Sequence, residues 1–326
     1  MRGILNILYI GVLCLFTLSS CADYYDYSNR EAKEIKVGAS VVTIDSESRS
    51  QAVPYKGSVP TDTSKLNSAL LFSLNSGDYN TTVPTIDGTN LPCHTTIEFQ
   101  NGLMTIPDPY LGDPTKTLRY PTTDQSVFCV GLCPETGWSV NAKSGGGSIV
   151  KHSIDGITDI MYAPEISGSW NTPFSNQEYT HLQSWVKVCI EGLSYDAKDV
   201  WGNIESVKLI SNNNITIDLT TGAIGSDNVK KEYEILDVPI ELKITNQEIG
   251  SVFCYPTNQF TLRVKTTRMD VRDVTVKVER DTKGNLITDF KGRLFVVILY
   301  FNSFDVIDGV CTLSAWSNVN ENLYLE

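Results

Sequence analysis

Apolar residues recur at every second position in one stretch of this chain after another. Ile35, Val37, Ala39 and Val41 alternate with Lys36, Gly38, Ser40 and Val42. Val186, Val188 and Ile190 alternate with Lys187 and Cys189. The same spacing returns in Ile215-Ile217-Leu219, Ile240-Leu242-Ile244, Phe260-Leu262-Val264, Val274-Val276-Val278 and Cys311-Leu313-Ala315. A period of two puts one face of a strand on a core and the other in water. Asn101-Gly102 stands between Ile97-Phe99 and Leu103 to Ile106 as a hairpin turn pair. Leu294 to Phe301 is apolar on both faces and is expected as a central strand of the second half. No window of useful length repeats at helical spacing. The nearest, Ser64 to Leu74, reads equally well as a strand into Leu70-Leu71-Phe72. The pattern predicts an all-β chain of antiparallel β-sandwiches.

The first twenty residues read as a processing signal. Arg2 is followed by a mostly apolar run from Ile4 to Leu18 and then by Leu18-Ser19-Ser20-Cys21. The run is shorter than the about 20 residues of a membrane span and fits a signal peptide. Small residues ahead of a cysteine suit a lipoprotein signal peptidase, so Cys21 is the expected lipidation site. Multiple acyl chains would anchor the protein stably to a membrane, each buried methylene contributing about 0.8 kcal/mol. Asp23 to Tyr27 then forms an acidic, tyrosine-rich tether. The expected organisation is a signal peptide over 1–20, a tether and first strand over 21–49, an N-terminal sandwich over 50–170 and a C-terminal sandwich over 171–326. The last division falls in the turn-rich stretch Pro164 to Tyr179.

The formal net charge of −12 disfavours nucleic acid and bare anionic membrane surfaces as partners. An exported compartment permits disulfides. Six cysteines follow Cys21, namely Cys93, Cys129, Cys133, Cys189, Cys254 and Cys311, and their pairing is open. Cys129 and Cys133 in a straight strand would lie about 13 Å apart, beyond the about 7 Å that a bridge allows. Cys189 and Cys311 fall inside apolar strand patterns, where a buried free thiol is the commoner outcome.

Catalytic motifs are missing. His94, His152 and His181 are scattered and form no metal or triad spacing. No hydrolase elbow, phosphate-binding loop or EF-hand loop occurs. The expectation is no enzyme, no cofactor and no metal. The fifteen tyrosines are explained first by strand propensity and only second by a carbohydrate-binding platform.

The order of these features resembles the fimbrillin family, the Mfa-like fimbrial subunit lipoproteins of Bacteroidetes. The resemblance rests on Cys21, the strand Ile35 to Ile44, Arg49, Leu70-Leu71-Phe72 and the hairpin at Asn101-Gly102. It continues through Leu118-Arg119-Tyr120-Pro121, Val127 to Pro134, Asp159-Ile160-Met161-Tyr162-Ala163, Tyr179-Thr180-His181-Leu182 and Ala315-Trp316. Tyr179 departs from the phenylalanine usual in the family. The resemblance implies two tandem transthyretin-like sandwiches, display on the cell outer membrane and assembly into an adhesive fimbria by strand exchange. It implies proteolysis after an arginine that follows the first strand. Arg49 fits that role, in the polar stretch Ser46 to Gln51, and Arg30 is the competitor. The emptied groove would take a terminal strand of the next subunit. Val319, Leu323 and Leu325 share a parity and are the donor candidates, with the alternative that this tail finishes its own sheet. Expected partners are other fimbrial subunits, the outer membrane through the lipid, and host or bacterial surface glycans or proteins. The other reading is a lipid-retaining anchor or stand-alone glycan-binding lipoprotein.

Overall fold

The structure is a computed structural model and describes residues 33–35, 37, 39–42, 65–80, 83–84, 90–91, 93–100, 103–105, 119–281 and 283–314. The chain is nearly all β. A seven-stranded sheet takes β1 (Ala39–Val42), β2 (Lys65–Ser73), β5 (Cys93–Gln100), β6 (Leu103–Thr105), β7 (Val127–Cys133), β10 (Met161–Gly168) and β11 (Gln177–His181) in the order β1-β11-β10-β7-β2-β5-β6. The short strands β3 (Val83–Pro84) and β4 (Asn90–Leu91) pair with each other. A four-stranded sheet holds β8 (Trp138–Ala142), β9 (Ser148–Ser153), β14 (Asn214–Asp218) and β15 (Ile224–Gly225). Ala69, Leu71, Val130, Leu132 and Tyr162 of the large sheet share a core with Val150, Ile215 and Ile217 of the smaller one.

In the second half, β12 (Ser184–Gly192), β18 (Gln247–Cys254), β21 (Arg293–Phe301) and β22 (Ile307–Ser314) form a sheet in the order β18-β12-β21-β22. The facing sheet runs β16-β13-β19-β20, from β13 (Asn203–Asn212), β16 (Lys230–Leu236), β19 (Gln259–Thr266) and β20 (Arg272–Lys277), with β17 (Ile240–Glu241) paired to β13. Val186, Val188, Ile190, Phe295, Val297 and Leu299 meet Val207, Leu209, Phe260, Leu262 and Val264 between them. The core of this sandwich is continuous with that of the first.

Most expectations for the strands are met, and the differences are local. Within the stretch Ser64 to Leu74, Lys65–Ser73 is strand, not helix. Gln100 pairs with Leu103 in β5 and β6, so two residues separate the strands at the expected hairpin. β21 is flanked by β12 and β22 and is buried on both faces. Ile240 to Ile244 yields only two strand residues, and Ile244 is exposed. Among the described strands two pairings are parallel, β1 with β11 and β12 with β21. Strand β14 follows the expected division at 170 and 171, yet it pairs with β9 before it, so one sheet joins the two halves.

A short helix, α1 (Tyr195–Trp201), has no counterpart in the sequence reading. Its buried positions, Ala197 and Trp201, give a period too brief to read. The Trp201 indole donates to the Asn302 carbonyl at 2.7 Å and meets Phe301 edge-on at 5.4 Å. The glycine triplet 145–147 forms the β8–β9 turn. All three glycines have positive φ, from 88° to 99°, where a side chain would be strained.

Candidate functional site: a groove filled by the N-terminal segment

The large sheet is apolar on both faces. Its first face joins the continuous core. Its second face carries a separate cluster made by Leu70 and Phe72 of β2, Val127, Cys129 and Cys133 of β7, Met161 and Ala163 of β10, and Tyr179 of β11. Leu74, Tyr120 and Phe174 extend it. Tyr120 and Phe174 pack at 5.6 Å between ring centroids, and Phe174 and Phe72 at 6.1 Å. The Phe174 amide donates to the Tyr120 hydroxyl at 2.8 Å, which pins these rings.

Two residues from far away in sequence complete the cluster. Ile35 and Val37 are 1% and 2% exposed within it. They are two positions apart, so an extended backbone puts both on one side. Burial of an Ile or Val side chain stabilises by about 1.5–3 kcal/mol each. The chain then continues as β1, which lies parallel to β11 with Ala39 opposite Gln177 and Val42 opposite Thr180. β1 is the edge of the sheet. Upstream, the Tyr120 amide donates to the Lys33 carbonyl at 3.0 Å, and Glu34 bridges to Arg119. The Lys33 ammonium donates to the Trp170 carbonyl at 3.1 Å and lies 5.6 Å above the Trp170 ring. The segment from 33 to 42 is thus held by side-chain burial and by edge pairing, and the rest of the groove comes from residues 70–179.

A buried polar string runs under this face. The Tyr179 and Ser68 hydroxyls are 2.6 Å apart, and Ser68 donates to the Leu132 carbonyl at 2.9 Å. Gln177 donates to the Cys129 carbonyl at 3.3 Å. Gly131 makes the string possible: a Cβ there would lie 2.1 Å from the Tyr179 hydroxyl oxygen. Tyr179 is therefore accommodated locally, with Gly131 leaving the space and Ser68 meeting the hydroxyl. Burial pushes the Tyr179 hydroxyl well above the usual tyrosine range, against the Ser68 hydrogen bond, so it stays protonated.

Where β11 passes into β12, His181 Nδ1 lies 2.6 Å from a carboxylate oxygen of Asp159, and both side chains are 2% exposed. Burial works against the imidazolium, but the charge and hydrogen bond of Asp159 outweigh it and raise the pKa above the ordinary value. Gln183 accepts from the Ile160 amide at 2.8 Å and tightens the same corner. Burial, with Asp159 and Glu135, pushes the Cys133 thiol up, so it is a poor nucleophile. His152 lies between the Ser153 and Thr136 carbonyls, at 2.7 and 3.1 Å, against Trp138. The His94 side chain lies outside the described residues. Among the described residues no group of three His, Cys, Asp or Glu side chains could hold a metal ion.

Sequence reasoning found the first strand and the aliphatic-tyrosine segments that line the groove. It did not find Trp170 or the Gly131–Tyr179–Ser68 fit, because residues distant in sequence meet there without a periodic signal. Cys21, Arg49, Val319, Leu323 and Leu325 lie outside the described residues. Cys133, Cys189, Cys254 and Cys311 are free thiols, so Cys129 and Cys133 are not bonded to each other.

No family model matches the chain, and no curated protein matches it. Solved structures do. A candidate cell adhesion protein from Bacteroides ovatus aligns over 90% of this chain and 100% of its own, with a TM-score of 0.53 and 12% identity. A candidate cell adhesion protein from Bacteroides uniformis covers 89% of this chain and 99% of its own, at 0.49 and 13%. A fimbrial protein from Bacteroides vulgatus covers 86% and 99%, at 0.47 and 10%. The first of these likenesses establishes a shared overall fold, in agreement with the fold that the family resemblance implies.

Proposed function

We propose that this protein is a surface-exposed, fimbrillin-like subunit of an adhesive fimbria, assembled by strand exchange after proteolytic removal of its first strand. The observation that carries the reading is the way residues 33–42 sit in the fold. Ile35 and Val37 are fully buried in a groove built by a distant part of the chain, and β1 is bonded at a sheet edge. A segment held in this way can leave without dismantling the continuous core. Its loss bares the backbone groups of β11 and an apolar slot, which a strand of another subunit can fill. Cleavage after Arg49 releases the whole segment, whereas cleavage after Arg30 leaves it in place. Val319, Leu323 and Leu325 are the proposed donor positions. Lipidation at Cys21 carries the precursor to the outer membrane, and the role is adhesive, not enzymatic.

The test is to express wild type and Arg49→Ala in a fimbriate host, to sequence the mature N-terminus and to run heat-treated surface material on gels. Polymers that begin at Ser50, and their loss in Arg49→Ala, are expected. A polymer that begins at Glu31 would remove the strand-exchange account. A monomer that keeps its lipid would favour the anchor or stand-alone glycan-binding lipoprotein instead.

A further inference from the structure

Among the described side chains, two large aromatics stand open to water: Tyr195 is 81% exposed and Phe304 84%. Both lie at one end of the second sandwich. β12 starts at Ser184, beside the first sandwich, and reaches the far end at Gly192, opposite Phe301 of the parallel β21. β13 starts back from that end, with Ile204 opposite Thr266, and runs to Asn212, next to the strand that pairs with the first sandwich. α1, the turn 267–271 and the turn 302–306 therefore share the end opposite the junction. The apolar patches on the back of the β18-β12-β21-β22 sheet, Trp185-Phe253-Leu294 and Cys189-Val296-Ile298, are buried and offer no such surface.

The three segments are laced together. The Leu193 amide donates to the Phe301 carbonyl at 2.9 Å, and the Trp201 indole to the Asn302 carbonyl at 2.7 Å. Both ends of α1 are thus fastened to the root of the 302–306 turn. Within that turn the Asn302 side chain accepts from the Phe304 and Val306 amides at 2.8 and 3.1 Å. Arg272 grips the Asp305 carboxylate at 2.8 and 2.9 Å, and Arg268 donates to the Asp199 carbonyl. Rings carried on pinned turns lose little freedom when they bind. An aromatic side chain offers about 150–250 Å², so these two present roughly 250–400 Å². That is the scale of the largest apolar patch on a typical monomer, about 300–600 Å². Leu193, Val271 and Val306, at 54%, 50% and 46% exposed, enlarge it. Scattered apolar residues need no explanation, but a cluster of this size marks a contact surface.

We propose that this tip is an adhesive contact for a basic protein segment, one that presents Lys or Arg beside apolar side chains. Charge decides the class of partner. The nearby cations are engaged: Lys198 pairs with Glu241, Arg272 with Asp305, and Arg268 bonds the Asp199 carbonyl. The exposed carboxylates of Asp196, Asp199 and Asp270 have no ion-pair partner among the described residues. Carboxylates around an apolar centre attract cations, and open Tyr and Phe faces hold Arg or Lys as readily as apolar groups. A second copy of this acidic chain would bring the same carboxylates and be repelled. A neutral glycan would leave them without a counter-charge. This contact depends on the adhesive part of the proposed function and not on strand exchange, since it uses no residue of the groove.

The test is binding of the monomeric chain 22–326 to a labelled amphipathic peptide of about 18 residues, made of lysine and leucine and long enough for a stable amphipathic helix, read by fluorescence anisotropy. The same peptide with glutamate for lysine, and a neutral hexasaccharide of glucose, represent the other classes of partner. Phe304→Ser and Tyr195→Ser should each weaken binding of the lysine peptide at least about tenfold, with melting temperature unchanged. Asp196→Asn combined with Asp270→Asn should weaken it about threefold or more and flatten its salt dependence. Equal binding by wild type and the two ring variants would overturn the proposal, because the peptide would then be held by net negative charge alone. So would no binding of the lysine peptide, or equal binding of the glutamate peptide. Capture of the hexasaccharide that the ring variants abolish, without capture of the lysine peptide, would make the tip a glycan site and overturn the choice of partner. Because this readout uses monomer and the fimbrial assay reads polymer, either idea can fail without the other.

Discussion

Two of the described sheets are apolar on both faces, and their second faces differ. The seven-stranded sheet takes in Ile35 and Val37 and adds β1 to its edge. The β18-β12-β21-β22 sheet has two smaller patches on its back and no described guest strand. The first closure combines side-chain burial with new backbone pairing, over a face that includes Tyr179, Gln177 and Ser68. The second face holds no comparable polar string among the described residues. A face with internal polar partners and an edge to extend specifies one register for whatever occupies it. A purely apolar face only asks to be covered. The contrast separates a face completed by a described strand from one whose described residues supply none.

The largest expected effect follows from that difference. Removing residues 1–49 in solution should cost about 3–6 kcal/mol from Ile35 and Val37 alone. That is a large share of a typical total of about 5–15 kcal/mol. Urea titration of the mature chain and the shortened chain checks it. Cys129 and Cys133, protected beside Ile35 and Val37, should become reactive together. A shortened chain as stable as the mature one would mean that the groove collapses when empty, and the contrast with the second sheet would vanish.

Next in size is the His181–Asp159 pair. Asp159→Asn or His181→Gln leaves a buried charge without its counter-charge, at a cost of about 3–5 kcal/mol. The pH dependence has a definite sign. The folded pKa of His181 lies above its unfolded value, so its contribution is full below about pH 6.5 and is lost as pH rises through the folded value. Melting temperature should fall across that window in wild type, and the slope should disappear in His181→Gln. A slope that survives the substitution would assign the effect to another group.

Gly131→Ala should follow, at about 1–3 kcal/mol, because the new methyl meets the Tyr179 ring and the Gln177 side chain. Chemical denaturation measures it. The variant bears on the groove face alone and should leave Cys189 protection unchanged.

Much of this was legible in the sequence, and what was not has a common cause. Alternation marked the strands because one buried face leaves a period-two trace, as in Phe260, Leu262 and Val264. Strand β21 was legible as central because both of its parities are apolar. The pairing of β14 with β9 left no such trace: Ile215 and Ile217 announce a strand but not which strand it joins. The parallel course of β1 along β11 was equally silent, since alternation does not encode direction. The continuous core that links the halves follows from those pairings. Ile240 to Ile244 misled because Leu242 is buried while Ile244 points to solvent, so apolar spacing alone overstated the strand. Of the site, Ile35, Val37 and Tyr179 were found through their place in a pattern. Trp170 and Ser68 were not, because each acts through contacts with residues distant in sequence.

The smallest effect concerns how the guest segment is tethered at its start. Lys33 bonds the Trp170 carbonyl and lies over the Trp170 ring, but it is only partly buried. A half-exposed cation over an aromatic ring contributes about 0.5–1 kcal/mol, and water replaces much of the hydrogen bond. Lys33→Ala should therefore lower stability by less than about 1 kcal/mol. Its effect on kinetics should be easier to see. The contact closes the end of the segment farthest from β1, so its loss lets residues 33–37 lift away more often. Hydrogen exchange at the Tyr120 amide, which donates to the Lys33 carbonyl, should speed up while the amides of β12 and β21 keep their rates. In Lys33→Arg, which keeps the charge and can stack on the ring, the Tyr120 amide should return toward its original rate. If Tyr120 exchanges no faster in Lys33→Ala, the segment is held without help from the Lys33 side chain. The guest strand would then be gripped from its middle, and the difference between the two faces would come down to edge pairing.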